Sequence, residues 1–189
     1  MLRAVAAALA LALTLTAPAG AATELASIFE SVTRSAKAIE LGPPQPSDWF
    51  PVRGVVDFGE ADASFGVWRG GRRHEGQDVF AEAGTPLVAM RDGTVVETGD
   101  DGGRGNYIAI WSPEAQLTFV YLHMRAPTRH REGDAVAAGE RVGAVGCTGS
   151  CWGDHLHLEM RRGRGTTGRP IDPMPTLRLL VGRARESGR

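Results

Sequence analysis

Short apolar runs separated by glycine-rich turns dominate the chain from residue 50 onward. Runs of this length between turn signals predict β-strands, at residues 54–58, 86–90, 94–98, 107–111 and 117–121. Further strands are predicted at Val136 and at residues 141–145 and 155–160. Many short strands with a turn every 8 to 12 residues or so indicate an all-β fold with an antiparallel core.

Two pairs of these strands have the spacing of β-hairpins. Asp92-Gly93 lies between the second and third runs, and Asp-Gly between apolar runs is a strong hairpin signal. Residues 112–116 separate the fourth and fifth runs. The sequence therefore predicts two antiparallel hairpins.

The first 21 residues have the pattern of an export signal. Arg3 supplies a positive start, residues 4–16 are small or apolar, and Ala21 follows small residues suited to cleavage. The apolar run is shorter than the roughly 20 residues that a membrane span needs. A cleaved signal is therefore favoured over a retained anchor, and we expect the protein in the periplasm or the extracellular cell envelope without stable membrane insertion.

A helical pattern and a proline-rich linker follow the signal. Apolar residues recur at helical spacing between residues 23 and 41, and the proline-rich residues 42–46 form a stiff linker. Residues 177–181 are expected to form a final short element. The predicted organisation is a signal peptide at 1–21, a helix and linker at 22–49, a β-domain at 50–175 and a C-terminal tail at 176–189.

Composition and charge exclude some classes of protein. The chain has 42% hydrophobic and 23% charged residues, as globular proteins do, and a formal net charge of −1 that gives no sign of a nucleic-acid partner. Its C-terminal third is locally basic, which we interpret as a solvated surface and tail, with attraction to an anionic wall polymer as the alternative. The arginines concerned are Arg161, Arg162, Arg164, Arg169, Arg178, Arg183, Arg185 and Arg189.

The two cysteines, Cys147 and Cys151, permit two interpretations. An even count in an exported protein predicts a disulfide. The spacing Cys147-x3-Cys151-x3-His155-x-His157 also fits a structural zinc site with two thiolates and two imidazoles. Export disfavours free thiolates, so we expect a disulfide that fixes the turn before His155.

Residue types that bind metals recur at two places in the chain. His74 and Asp78 flank Gly76, so a turn or loop can direct both side chains toward one point. His155 and His157 alternate along a predicted strand and therefore project from the same face. Two imidazoles and one carboxylate make the set of three protein ligands that leaves a catalytic zinc ion an open position for water.

Other residues extend this pattern. His123 lies in a strand-like segment between the two places, and an imidazole is the side chain most easily poised as a base near neutral pH. Glu159 continues the face of the predicted strand and is placed to orient a ligand. The fifth histidine, His130, lies in a polar segment and is interpreted as a surface residue.

Residues 50–175 resemble the lysostaphin-type, LytM-like zinc metalloendopeptidases of peptidase family M23. The central matching motifs are His74-x-Gly76-x-Asp78 and His155-Leu156-His157. Further matching segments lie at residues 50–54, 83–89, 92–95, 105–108, 121–124, 133–139, 142–149 and 168–173.

This resemblance implies an antiparallel β-sheet core and one zinc ion bound by His74, Asp78 and His157. It also implies that His155 and His123 act on the zinc-bound water and on the tetrahedral intermediate. His155 is the preferred base, and His123 is expected to stabilise the oxyanion or to share the base role.

The function implied is that of an exported zinc endopeptidase, with a monomer favoured, that cleaves peptide cross-links or stem peptides of bacterial peptidoglycan. One alternative is a non-catalytic envelope protein that binds wall peptides or activates another hydrolase, and a second is a protease of ordinary exported proteins. Residues 151–154, Cys-Trp-Gly-Asp, replace the Ser-Thr-Gly-Pro-like run common in the family. We therefore expect substrate selectivity to be set near this turn.

Overall fold

The structure is a computed structural model that describes residues 48–187. The predicted signal peptide and the predicted N-terminal helix lie outside these residues, and the predicted domain boundaries stay predictions. In the part of the chain that is described, no helix is both long enough and apolar enough to cross a membrane.

Residues 48–187 contain short β-strands, one turn of 3-10 helix at Ala61–Ala63 and one α-helix. The elements are β1 (Trp68–Arg69), β2 (Arg72–Arg73), β3 (Gln77–Phe80), β4 (Pro86–Val88), β5 (Gly93–Asp101), β6 (Gly105–Ser112), β7 (Leu117–Met124), β8 (Ala135–Val136), β9 (Arg141–Ala144), β10 (His155–Arg162), β11 (Pro170–Ile171) and α1 (Met174–Ser187). The predicted all-β fold with an antiparallel core is confirmed.

Strand β10 pairs with three other strands of the largest sheet. The strand order is β11-β10-β7-β6-β5-β8, and β3 also pairs with β10. His157 is paired with Leu122 of β7 on one edge and with Asp78 of β3 on the other, so β10 is enclosed on both edges at this point. Further along, β11 takes the place of β3 beside β10. Strands β4 and β9 form a separate pair, as do β1 and β2.

Alternation of side chains along β10 separates an apolar core from a polar face. The even-numbered residues from Leu156 to Met160 are almost fully buried, on the same face as Tyr121 of β7. The odd-numbered residues from His155 to Arg161 lie on the opposite face. One strand therefore contributes to the core and, on its other face, presents a row of polar side chains.

The hairpin prediction for residues 112–116 is confirmed, because β6 and β7 pair antiparallel on either side of them. The hairpin prediction for Asp92-Gly93 is wrong, because β4 pairs with β9 while β5 pairs with β6 and β8. A Cβ atom on Gly93 would lie 2.5 Å from the carbonyl oxygen of Trp111, so glycine permits close approach of β6. The Asp92 carboxylate accepts a hydrogen bond from the Ala138 amide, at 2.7 Å. The Asp-Gly signal reflects packing at this position rather than a tight turn.

Two other segments differ from expectation. The predicted strand at residues 54–58 is not formed: Asp57 makes a single bridge to Phe80, and Val55 is 93% exposed. The C-terminal element is a helix, α1, that begins before residue 177 and continues beyond residue 181. Leu177 and Leu180 lie on one face of α1, and both are buried.

Candidate metal centre

Three potential metal ligands are brought together by the pairing of β3 with β10. Asp78 lies on β3 directly opposite His157 on β10, whereas the sequence predicted a turn or loop at Asp78. His74 comes from the loop that precedes β3. A Cβ atom on Gly76 would lie 2.5 Å from the Leu158 carbonyl oxygen and 2.6 Å from Nε2 of His157, so a glycine lets this loop pass close to β10.

The ligand atoms of His74, Asp78 and His157 converge on one buried point. Nε2 of His74 lies 2.9 Å from Nδ1 of His157 and 3.1 Å from Oδ1 of Asp78, and the last two atoms are 2.8 Å apart. The three residues are between 3% and 8% exposed. Atoms that carry lone pairs and approach this closely require a proton or a cation between them. Two imidazole nitrogens and one carboxylate oxygen fit a zinc ion with an open coordination position.

Both imidazoles are held by a second hydrogen bond on the side away from this point. Nδ1 of His74 donates to the Ser64 carbonyl oxygen at 2.8 Å, and Nε2 of His157 donates to Oε1 of Glu159 at 3.3 Å. Burial alone would lower the pKa of His157, but its contacts with Asp78 and Glu159 raise it. These outer partners fix the tautomers and turn one lone pair of each ring toward the common point.

The Asp78 carboxylate is fixed in a similar way by Arg69 of β1. A guanidinium nitrogen of Arg69 donates to Oδ2 of Asp78 at 2.6 Å, and Nε of Arg69 donates to the Asp62 carbonyl oxygen at 3.0 Å. Burial alone would raise the pKa of Asp78, but hydrogen bonds with His157, His74 and Arg69 hold it well below its usual range. Oδ1 therefore faces the imidazoles as part of an ionised carboxylate.

His155 stands beside the three ligands with one ring nitrogen directed toward them. Nδ1 of His155 donates to the Gly153 carbonyl oxygen at 2.7 Å, while Nε2 lies 3.6 Å from Oδ1 of Asp78. Burial lowers the pKa of His155, and the bond to Gly153 only partly offsets this. A neutral ring that donates through Nδ1 has its free lone pair on Nε2, the nitrogen that faces the site.

His123, on β7, lies next to both His155 and His157. Its Nδ1 donates to the Thr148 carbonyl oxygen at 2.8 Å, and its ring centroid lies 5.0 Å from that of His155. Burial lowers the pKa of His123 to about 4, so the ring is neutral at neutral pH. Its backbone φ is +60°, a left-handed conformation that is uncommon for non-glycine residues, and the pairing of β6 with β7 shifts register nearby, between Asn106 and Ile108.

The turn before His155 is closed by a disulfide between Cys147 and Cys151, whose Cα atoms are 5.4 Å apart. The disulfide prediction is confirmed, and these sulfurs form no zinc site. The Gly153 amide approaches Sγ of Cys147 at 3.2 Å, so the disulfide is linked to the carbonyl group that orients His155. Trp152, on the same turn, is 96% exposed.

The site opens into a groove of about 810 Å³. Val120 and Leu122 of β7 contribute to its lining, together with Trp152 and the arginines of β1 and β2. Such a groove is large enough for several residues of an extended peptide. His130 does not line it, and its Nε2 instead contacts the Arg141 carbonyl oxygen at 3.1 Å.

Two arginines near the ligands were not identified as functional from the sequence. Arg161 was interpreted as part of a solvated basic surface, but it is only 9% exposed and faces the groove. Its position in the sequence could have indicated this, because Arg161 continues the alternation of His157 and Glu159 along β10 and therefore lies on the same face. Arg69 lies in a two-residue strand that follows no recognisable period, so no pattern in the sequence connected it with Asp78.

The chain belongs to peptidase family M23, whose sequence profile matches residues 72–173, just over half of the chain. The resemblance drawn from the sequence is therefore confirmed. The matched segment contains all of the residues predicted as ligands or catalytic groups. M23 peptidases are zinc-dependent hydrolases, and the ligand set described above is consistent with that chemistry.

Individual relatives match over similar lengths. The DD-carboxypeptidase/endopeptidase Mpg of Neisseria meningitidis is 39% identical over 103 residues, which is 54% of this chain and 22% of the relative. The peptidoglycan DD-endopeptidase ShyC of Vibrio cholerae is 32% identical over 117 residues, 61% of this chain and 26% of the relative. The chain thus spans about a quarter of the length of these curated relatives.

Among solved structures, the catalytic domain of lysostaphin from Staphylococcus simulans superposes with a TM-score of 0.55 at 30% identity. The superposition covers 64% of this chain and 90% of that domain. The lysostaphin-type fold predicted from the sequence is confirmed.

Proposed function

We propose that this protein is an exported zinc metalloendopeptidase that hydrolyses peptide bonds in bacterial peptidoglycan, in cross-links or in stem peptides. The observation that carries the proposal is the convergence of His74, Asp78 and His157 on one point, with His155 and His123 beside it. A site built only for binding would not need two further buried imidazoles with free nitrogens next to its ligands.

His74, Asp78 and His157 would hold one zinc ion. When bound, zinc supplies a Lewis acid that activates water and polarises the carbonyl group of the scissile bond. The part played by the protein is to orient the two imidazoles and to keep the carboxylate ionised, which the outer contacts with Ser64, Glu159 and Arg69 accomplish.

The two remaining imidazoles handle the protons. Nε2 of His155 is unprotonated and accepts the proton of the attacking water, and the same nitrogen later returns a proton to the leaving amine. His123 has the same tautomer, because its Nδ1 also donates to a carbonyl group. A neutral ring of this kind cannot donate through Nε2, so His123 stabilises a developing oxyanion only when it is protonated, and otherwise it shares the base role.

The choice of substrate follows the relatives. The names of the relatives from Neisseria and Vibrio describe endopeptidases, and the second specifies peptidoglycan as the substrate. A groove of this volume is suited to a peptide that is extended on both sides of the scissile bond. Export rests on the pattern of residues 1–21 and places the enzyme where peptidoglycan is found.

Incubation with purified sacculi, with and without a chelator, tests the proposal. We expect newly exposed amino groups, with fewer cross-links or shortened stem peptides, detected by mass spectrometry after a muramidase has cut the glycan strands, and we expect neither change after chelation or in a His74→Ala variant. A His130→Ala variant is the matched control, because His130 lies outside the groove and should leave activity unchanged.

Two outcomes would support the alternatives. Protein that binds zinc stoichiometrically but never cleaves the peptides of sacculi, while it co-sediments with them, would be a non-catalytic envelope protein. Cleavage of a general peptide library at a rate above that of sacculi would indicate a protease of ordinary exported proteins.

A further inference from the structure

Arg161 joins two acidic side chains that come from different segments of the chain. Its Nε donates to Oε2 of Glu159 at 2.6 Å, and its Nη2 donates to Oε2 of Glu75 at 2.5 Å. Its third nitrogen, Nη1, donates to the Gly168 carbonyl oxygen at 3.0 Å. All three guanidinium nitrogens are therefore engaged, and the side chain has one well-defined position.

Each of these two carboxylates is connected to a different imidazole ligand. Glu75 directly follows His74 in the loop before β3. Glu159 accepts the hydrogen bond from Nε2 of His157, on the side of that ring away from the other ligands. A continuous series of contacts thus leads from the segment of one ligand, through Arg161, to the ring of the other.

We propose that Arg161 is a positioning residue that, through Glu75 and Glu159, holds His74 and His157 at the separation at which the metal ion binds. This inference rests on the proposed function, because it concerns the metal ligands of that site. His157 is already fixed by the sheet, but His74 lies on a loop outside any strand. The contact between Arg161 and Glu75 therefore acts mainly on His74.

The chemistry of the contact suits this role. Arg161 and Glu159 are both nearly buried, and their opposite charges compensate each other. A planar guanidinium presents donors on two sides at fixed angles, whereas a lysine ammonium is a single point charge on a flexible stem. Lysine would preserve the positive charge but would not contact both carboxylates in the same geometry.

Glu75 allows a positioning effect to be separated from a general effect on stability. Its side chain is 48% exposed, and within residues 48–187 its only described polar contact is with Arg161. Exposed ion pairs contribute about 0–1 kcal/mol to folding. Loss of the Glu75 carboxylate should therefore leave the metal-free fold nearly as stable as before. It removes one restraint on the loop that carries His74, whose backbone stays hydrogen-bonded to Gly66 and Val67.

The test compares Glu75→Ala and Arg161→Lys with a control, Glu114→Ala, in the full chain. Glu114 is exposed in the turn between β6 and β7, at the end of β7 away from His123. Zinc affinity is measured by competition with a chromophoric chelator, and the melting temperature is measured on metal-free protein. We expect the zinc dissociation constant to rise about 10-fold or more in both test variants and to be unchanged in the control.

The melting temperature of metal-free Glu75→Ala should stay within about 3 °C of wild type, a shift that corresponds to about 1 kcal/mol. Arg161→Lys keeps the positive charge, so weaker zinc binding in that variant cannot be attributed to a change of net charge. If Arg161→Lys does not fold, the zinc affinity and melting temperature of Glu75→Ala are sufficient to test the inference.

Two results would overturn the inference. One is wild-type zinc affinity in Glu75→Ala. The other is a drop in the melting temperature of metal-free Glu75→Ala well beyond 3 °C or so. That drop would show that the contact between Arg161 and Glu75 stabilises the fold as a whole. Both results are independent of the proposed function. A wild-type protein that binds zinc but does not cleave the peptides of sacculi would refute the peptidase proposal, and the zinc affinities would still decide the role of Arg161.

Discussion

The imidazole of His155 and the carbonyl group of Gly153 are joined by a hydrogen bond of 2.7 Å, two residues apart in the chain. This bond assigns the proton to Nδ1 and leaves Nε2 free to accept one. The Gly153 amide in turn contacts Sγ of Cys147. The disulfide is thereby connected through a single residue to the orientation of the proposed base.

Removal of the disulfide should slow catalysis without weakening metal binding. In a Cys147→Ser, Cys151→Ser double variant, Gly153 loses its tether and the ring of His155 samples more orientations. We expect kcat on a muropeptide substrate to fall by roughly 10- to 100-fold, because catalysis is sensitive to small misplacements of a base. Zinc affinity should stay within about 3-fold of wild type, because none of the ligands lies in this turn. An unchanged kcat would show that the turn keeps its shape without the disulfide.

The role of the His123 imidazole can be tested without disturbing the backbone at this position. Asparagine tolerates a positive φ better than most residues, so His123→Asn should preserve the local fold. We expect kcat to fall by about 10²- to 10⁴-fold, as for loss of a general acid or base. The melting temperature should change little.

Gln116 provides the matched control for that variant. It is the other non-glycine residue with positive φ among those described, at 54°, and it lies in the exposed turn between β6 and β7. Gln116→Asn should leave both activity and stability unchanged. If His123→Asn retains wild-type kcat, His123 has no part in the reaction.

Gly76 is expected to be intolerant of any side chain. In Gly76→Ala, the new Cβ atom would meet the Leu158 carbonyl oxygen at 2.5 Å, and backbone must then shift where the loop passes β10. We expect a loss of about 1–3 kcal/mol in the free energy of unfolding, measured by urea titration, together with weaker zinc binding. Gly102→Ala is the control, because a Cβ atom on Gly102 would point into open space, with no other part of the described chain within 4 Å, and its φ is not positive. Equal stability of the two variants would contradict this account.

Glu97 should make folding stability depend on pH in the acid range. Its carboxylate accepts hydrogen bonds from Tyr107 and Thr166, each at 2.7 Å, and from Arg104 at 2.9 Å. Burial alone would raise the pKa of Glu97, but these three partners lower it below its ordinary value of 4.5. The charged form therefore stabilises the fold above pH 4.5 or so, and this contribution is lost as the pH falls through the lower pKa of the folded state.

The comparison is between wild type and Glu97→Gln. We expect the variant to be less stable by about 1 kcal/mol at pH 7, and we expect this difference to narrow as the pH falls below about 4.5. Glu114→Gln, which removes the charge of an exposed glutamate in a turn, is the matched control. A difference that stays constant from pH 7 to pH 3 would mean that the ionisation of Glu97 does not stabilise the fold.

Much of the sheet was predictable because its strands are marked by local patterns. The runs that became β6, β7 and β10 are continuous and apolar or strictly alternating, and turn residues bound them. The hairpin prediction at Gly93 was wrong because glycine has two different structural uses. A glycine that permits close approach of another strand and a glycine that forms a tight turn are identical in sequence, and only the partner strand distinguishes them.

The grouping of His74, Asp78 and His157 was predictable for a different reason. Spacing brought His155 and His157 onto one face, but the connection to His74 and Asp78 came from a family resemblance and not from any local rule. Arg161 was misinterpreted because a charged residue near a basic tail resembles surface. One of its partners is Glu75, which is 86 residues away in the chain.

Because side chains alternate along β10, the register of this strand in the sheet also determines whether the proposed site is assembled. A slip of β10 by one residue would turn its histidines into the apolar core and its leucines into the groove. Such a pairing would bury unpaired imidazoles and expose aliphatic side chains, so it is penalised before any metal is present. A chain that folds with its apolar face inward therefore also selects the one strand alignment that brings the proposed metal ligands together.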